Sequence, residues 1–526
     1  MTRIVHDAAT LDRDLTLDCD VAVIGTGAGG GTAAEILALA GLRVVMLEEG
    51  AYLTAKDFTL RESDASTEMY FDGGSRTTKD GTMTILQGRT VGGSTTVNWT
   101  ASFRAPAEVL GHWGAAVGVR GVEPETLAPW FDRVEKRLHV APWAIAPNAN
   151  NEALARGCKA LGFVHGVIPR NVDRCLNLGT CGLGCPVNAK RSMLVTTVPG
   201  ALDAGAVLVT RCRAERVSLT SGKAAGVEAV ALDARGVRPT GRKVTVQARH
   251  VVASGGGINT PGLLLRSRLP DPHAVLGKRA FTHIVNSSAA ILPETVDGFQ
   301  GAPQSVYSKH FLFRDGLTGK AGYSLEAAPV YPVLAMSVTG RAGHELLSQW
   351  GPDFRHVQSL IALVRDGFHE QSQGGVVEIR SDGSPVLDYP VTDYLWEALY
   401  HAYLRMAEIQ FAAGARAVMP IHTDASPYRS WSEAKVGIPN LPARPFGPSL
   451  FSAHLMGGCA MGEDPKRSVV NSLGRHHQVE GLSVIDASVF PTGLGVNPQM
   501  TTYAISARNA TRLAEDLGGK PKPAAA

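Results

Sequence analysis

Near the C-terminus, the stretch SAHLMGGCAMG at residues 452–462 sets a histidine and a cysteine among small, flexible positions. The imidazole of His454 has a reference pKa near 6.5 and suits proton exchange near neutrality. Forty-three residues on, Asn497 offers a carboxamide that donates or accepts hydrogen bonds without carrying charge. Such a pair can exchange a proton and hold a polar oxygen beside it. The spacing permits this pairing without singling it out. Cys459 reads as a small packed side chain beside Gly457 and Gly458.

These groups need elements to position them, and the N-terminal third supplies one. DVAVIGTGAGGGTAAEILALAGLRVVMLEEG, Asp20 to Gly50, reads as strand, glycine turn, helix and strand. Val21 to Ile24 form a short buried strand, followed at once by Gly25, Gly27 and Gly30 in GxGxxG spacing. The first glycine permits the turn, the second lets a pyrophosphate approach backbone N–H groups at the helix N-terminus, and the third lets helix and strand pack closely. Glu48 ends the next strand, where its carboxylate can accept ribose hydroxyls and disfavours a 2′-phosphate. FAD or NAD therefore fits better than NADP. A second glycine cluster, GRTVGGSTTVNW, holds Gly92, Gly93, Ser94 and Asn98 and has no acidic residue. It can run beside pyrophosphate or a flat ring, offering N–H and O–H donors.

Four ordered segments resemble the glucose-methanol-choline (GMC) family of FAD-dependent alcohol oxidoreductases. Gly88 to Asn98 is similar to the family's first signature, and GGINTPGLLLRS at 256–267 to its second. DASVFPT at 486–492 and NPQMTT at 497–502 are similar to its C-terminal flavin-binding block. The resemblance implies an α/β flavin-binding Rossmann-like domain with an inserted α+β substrate domain. It places a discontinuous FAD-binding domain at 15–110, 190–285 and 450–520, a substrate domain at 286–449, and a connecting or cap region with a Cys/Gly-rich loop at 111–189. It implies that His454 accepts the hydroxyl proton, that Asn497 orients the alcohol oxygen, and that hydride moves to flavin N5. Val217 would meet adenine through its backbone, Asp486 and Pro498 would belong to the flavin block, and Asn98 would lie near the isoalloxazine edge. Relatives with covalently attached FAD carry a histidine just before that asparagine; Val97 stands there, which implies noncovalent FAD. His283 falls where relatives carry a histidine in a domain-connecting segment and reads as structural. Glu326 is a candidate carboxylate near the active site, with a solvated charge as the alternative.

The long middle region contains strand-like runs such as SLIALVRD and GVVEIR, and a periodic stretch from about Thr392 to Ala413 that reads as a helix. Its apolar content leans toward a bulky or long-chain hydrophobic alcohol. Cys175, Cys181 and Cys185 follow C-x5-C and C-x3-C spacings without a fourth nearby ligand, which favours a structural loop over a metal site, an iron–sulfur cluster or redox regulation. Similar Cys/Gly segments occur in long-chain alcohol oxidases. His476 and His477 read as surface groups in a turn.

Composition bounds the rest. At 526 residues the chain exceeds the size of one core, and 44% hydrophobic against 19% charged residues describe a packed globular protein. A net charge of +3 without a basic block speaks against nucleic-acid binding. No run approaches the roughly 20 apolar residues of a membrane helix, and the N-terminus carries no secretory apolar region. The expectation is a cytoplasmic enzyme, with peripheral membrane contact through an apolar patch left open. Oxygen, a quinone or another carrier would accept the electrons. A sterol or other secondary-alcohol oxidase and a nonredox flavin-dependent lyase are the competing readings; the sequence sets no oligomeric state.

Overall fold

In a computed structural model, residues 3–339 and 351–521 are described. The strand expected at Val21–Ile24 begins earlier, as Leu15–Ile24. It pairs in parallel with Val44–Leu47 on one side and with the long strand Pro239–Ala253 on the other. Beyond Val44–Leu47 the parallel order continues through Val207–Thr210 to Ile4–Asp7. The long strand is shared along its length. Its first half pairs antiparallel with Lys223–Leu232, and its last three residues pair in parallel with Leu482–Val484. Parallel strands need crossovers and covered faces. The helix Ala28–Leu39 packs between Gln499–Asp516 and Thr197–Asp203 and is buried on nearly every side, which explains its Ala/Gly-rich, non-amphipathic sequence.

A second large sheet runs Met83–Ile85, Leu450–Ser452, Ile284–Ile291, Val357–Val364, Tyr323–Glu326, Val306–Ser308 and His165–Val167. It thus draws strands from within 286–449 and from outside that interval. The periodic stretch after Thr392 is the helix Asp393–Ala412, which lays Leu395, Leu399, Ala402, Tyr403, Met406 and Ile409 on the back of this sheet. A smaller sheet contains Lys278–Thr282, Gly375–Ile379, Pro385–Asp388 and Leu455–Gly457. His283 is the single residue between Lys278–Thr282 in the small sheet and Ile284–Ile291 in the large one.

At the glycine turn, chain segments meet backbone to backbone. A Cβ on Gly30 would sit 1.9 Å from the Gly25 carbonyl oxygen, and one on Gly29 would sit 1.9 Å from the Ile485 carbonyl oxygen. Neither backbone can yield. Gly27 differs, because its added Cβ would find only the Gly93 Cα, at 3.9 Å. Gly30→Ala should therefore lower thermal stability by about 1–3 kcal/mol, the usual cost of overpacking. Gly27→Ala should leave the melting temperature unchanged within a degree or two while weakening flavin retention. Thermal unfolding with and without added FAD checks both.

Candidate functional site

One cavity of about 290 Å³ is lined at one end by Gly25, Gly27, Glu48 and Ala214, and at the other by Asn98, Trp99, Ile361, His454 and Asn497. Its first end is built by the strand ends and glycine turns just described. Glu48 is buried, and one carboxylate oxygen accepts from Thr26 N–H at 3.1 Å and Thr26 Oγ1 at 2.6 Å, while the other accepts from Gly50 N–H at 2.9 Å. A carboxylate offers about four acceptor positions, so one remains for a ribose hydroxyl. Burial raises its pKa, and those three donors oppose the rise.

The two glycine clusters touch. Gly93 and Ser94 line the cavity, and a Cβ on Gly93 would come within 2.9 Å of Gly27 Cα. Gly92 stands behind them, with its N–H on Thr26 Oγ1 at 3.0 Å. Gly30 and Gly92 thus shape the cradle without facing the cavity. Asp486 does face it, but all four of its acceptor positions are taken by Gly256 N–H, Thr260 Oγ1, Ser488 N–H and Ser488 Oγ. It ties the start of the helix Gly256–Arg266 to the cavity floor, and burial raises its pKa despite these donors.

Val217 corrects an expectation. It lies outside the cavity wall, and its N–H is used by Ser267 Oγ at 2.9 Å. Cys212 and Ala214 form the wall instead. The bulge at Glu215, where Arg216 pairs with Glu228 but Ala214 with Ala229, keeps Val217 on the Ala214 face, three residues farther along the strand and against Ser267.

At the other end, Asn98 donates through Nδ2 to Gln499 Oε1 at 2.8 Å, and Gln499 in turn donates to Ala101 O at 2.7 Å. Pro498 and Gln499 stand where the 18-residue helix Gln499–Asp516 begins, and both line the cavity. The short helix Ser94–Val97 places Val97 in the wall. The wall beyond Asn98 is mostly apolar, with Trp99, Val285, Ile361, Leu363 and Phe451 beside the polar Thr100 and Gln304. Val285 pairs with Leu363 and with Phe451 across neighbouring strands, so these side chains share one sheet face.

His454 leaves this apolar wall with Asn497 Nδ2 3.5 Å from its Nε2. Its Nδ1 lies 3.0 Å from His283 Nδ1, with the rings nearly perpendicular. Burial pushes the His454 pKa down to about 4. His283 is fully buried, and its Nε2 accepts the N–H groups of Leu494 at 3.1 Å and Gly495 at 2.8 Å. Glu326, at the end of the strand Tyr323–Glu326, is also fully buried, so it is no solvated charge. Neither oxygen has a hydrogen bond of ordinary geometry. Burial raises its pKa to about 7, opposed by the nearby Asn497 amide and Lys309 ammonium.

Sequence reasoning missed Lys190 as a support. Its buried ammonium donates to Asn98 O at 3.1 Å, Cys181 O at 2.6 Å and Thr96 O, which ties the Cys/Gly-rich loop to the cavity wall. The only hint is one lysine after a Gly/Pro-rich stretch. Cys175, Cys181 and Cys185 are free thiols, and among the described residues no group of three or more His, Cys, Asp or Glu is arranged to hold a metal ion. Cys459 is fully buried, and burial raises its pKa well above the usual thiol value. His476 corrects another expectation: it is buried with its pKa pushed down to about 4, because the segment around it folds back along Val470 and Leu482.

The donor set fits FAD. Side-chain-free backbone lies where a pyrophosphate would approach, a free acceptor position lies on Glu48, and two helix N-termini border the cavity.

The comparisons agree with this architecture. The solved structures that resemble it include a formate oxidase of Aspergillus oryzae, with a TM-score of 0.70 at 16% identity over 96% of this chain and 100% of that one. A pyridoxine 4-oxidase from Mesorbium loti gives 0.67 at 17% identity, over 94% and 99%. Among curated proteins, a long-chain-alcohol oxidase of Arabidopsis thaliana is 29% identical over 97% of this chain and 69% of its own length. A GMC-type oxidoreductase of Sinorhizobium fredii is 30% identical over 95% of each. Family models described as GMC oxidoreductase match residues 66–285 and 371–506. With the dinucleotide cradle and the polar group around His454 joined in one cavity, the chain belongs to the GMC oxidoreductase family of flavoenzymes and is an oxidoreductase acting on CH–OH groups.

Proposed function

We propose that the protein oxidises a hydrophobic, long-chain or bulky alcohol to the aldehyde or ketone, using noncovalently bound FAD and passing electrons to oxygen or another acceptor. One observation carries this reading. The cavity joins a dinucleotide cradle to an apolar compartment walled by Trp99, Val285, Ile361, Leu363 and Phe451, and His454 and Asn497 stand in the same wall. An alkyl chain buried there gains about 0.8 kcal/mol per CH₂, whereas a polyol would leave its hydroxyls unpaired. The long-chain-alcohol oxidases among the relatives support the same substrate class. The flavin-binding unit in this reading is built from 15–110, 190–285 and 450–520, with 286–449 covering the substrate.

FAD, when bound, supplies the two-electron acceptor for the carbinol hydrogen, which leaves carbon as hydride. The chain handles the other hydrogen. A general base works best with a pKa near the operating pH. His454, lowered to about 4 by burial, is neutral at pH 7 and the weaker base of the two buried groups near Asn497. Glu326, near 7 and beside Asn497, fits better. In this scheme Glu326 takes the hydroxyl proton as the C–H bond breaks and the C=O bond forms, while His454 and Asn497 hold the oxygen. Val97 brings no nucleophile to the flavin, so the cofactor is held by contacts alone.

Anaerobic addition of alcohols tests the reading directly. Primary aliphatic alcohols should bleach the oxidised flavin band more effectively as the chain lengthens; bleaching by sugars but not by alkanols would reject the substrate class. Acid precipitation should release the flavin into the supernatant. The reduction rate requires ionised Glu326, a group raised to about 7, so it should be constant above pH 8 and fall about tenfold per unit below pH 6. Glu326→Gln should remove that limb and slow reduction by about 10²–10⁴ with flavin still bound.

A further inference from the structure

His283 occupies the one-residue junction between two sheets, and its ring nitrogens have unlike surroundings. Nε2 receives two backbone N–H groups, from Leu494 and Gly495, at 3.1 and 2.8 Å. A nitrogen facing two donors has to be the unprotonated one. The ring is buried with its pKa held well below the usual value by burial, the His454 ring and Arg365, so it is neutral and its single proton sits on Nδ1. That Nδ1 faces His454 Nδ1 at 3.0 Å. His454 Nδ1 therefore accepts, and in the neutral ring the remaining proton lies on Nε2.

We propose that His283 is a positioning residue that fixes the tautomer of His454, so that His454 meets the alcohol oxygen as an Nε2–H donor. The inference rests on the alcohol-oxidising reading above and deepens it. Two donors, His454 Nε2–H and Asn497 Nδ2–H, lie 3.5 Å apart and cannot satisfy each other. A single oxygen placed between them can accept from both. The hydroxyl proton of that oxygen then points away from both donors. Protonating His454 at Nδ1 instead would oppose two N–H groups unless His283 also turned its proton onto Nε2, against Leu494 and Gly495. The backbone turn that carries Asn497 thus sets which nitrogen of His454 bears hydrogen, through one intervening ring.

The first test uses the FAD-loaded full-length enzyme labelled with ¹⁵N-histidine, with no alcohol present. Two-bond ¹H–¹⁵N correlations, assigned to His454 by their loss in His454→Gln, should show a protonated Nε2 and a bare Nδ1 at pH 7. A bare Nε2 overturns the proposal. The second test compares two variants that both remove the acceptor for Leu494 and Gly495. His283→Asn keeps a side-chain N–H near the Nδ1 position, whereas His283→Ala keeps none. The Asn variant should hold the tautomer and reduce flavin within about threefold of the parent, and the Ala variant should mix tautomers and slow reduction at least about tenfold. Equal loss in both, with the His454 tautomer unchanged, reduces His283 to packing and overturns the proposal. If the Ala variant does not fold, the spectrum of the parent enzyme decides alone. Should the tautomer be as stated while no alcohol bleaches the flavin, the functional reading fails and the His283–His454 arrangement stands.

Discussion

At the glycine turn backbone packs directly against backbone, and the cavity depends on it. The helix Ala28–Leu39 starts where Gly29 meets Ile485, Gly30 meets Gly25 and Gly93 meets Gly27, each at a distance that leaves no room for a Cβ or admits one only with strain. Three separate stretches of chain converge there, from residues 25–30, 92–94 and 485–486. Their convergence leaves N–H groups and a helix N-terminus facing an open groove, the arrangement that receives a pyrophosphate. Everything downstream is placed relative to that contact, since Asp486 and Asn497 lie on the chain that continues from Ile485.

The far end of the cavity follows a different logic. It is mostly apolar, yet its polar wall residues rest on buried groups, His283 against His454 and Glu326 near Asn497, both with no exposure to solvent. Burying such groups costs free energy unless they are paired. His283 is paired completely. Glu326 and Asn497 Oδ1 are not. That cost is borne elsewhere in the fold, by the packed helices around Ala28–Leu39 and by the sheet face behind Asp393–Ala412.

Much of this was legible in sequence wherever the signal was local. The strand, turn and helix at Val21–Leu39 follow from apolar runs and glycine spacing, and Asp393–Ala412 from a sustained 3.6-residue period. Gly25, Gly27, Glu48, Gly93, Ser94, Asn98, His454, Asn497 and Pro498 do share one cavity wall. What failed depended on partners far away in the chain. Val217 lies past a bulge at Glu215 with its N–H donated to Ser267 Oγ, a partner 50 residues away. His283 meets His454, and Glu326 comes near Asn497, because separate strands end beside one another, and no spacing along the chain records that. Lys190 looked like an ordinary lysine until its three carbonyl acceptors were brought around it. His476 is buried by a fold-back between Val470 and Leu482 that a turn-like sequence conceals.

The central claim is that a C–H bond of an alcohol breaks within this cavity. Rapid-mixing reduction of the enzyme-bound flavin, in the absence of oxygen, with a long-chain primary alcohol and with its 1,1-dideuterated counterpart measures that event. The account predicts that the flavin band bleaches with both and clearly more slowly with the deuterated alcohol. Failure of either alcohol to bleach the bound flavin would contradict it.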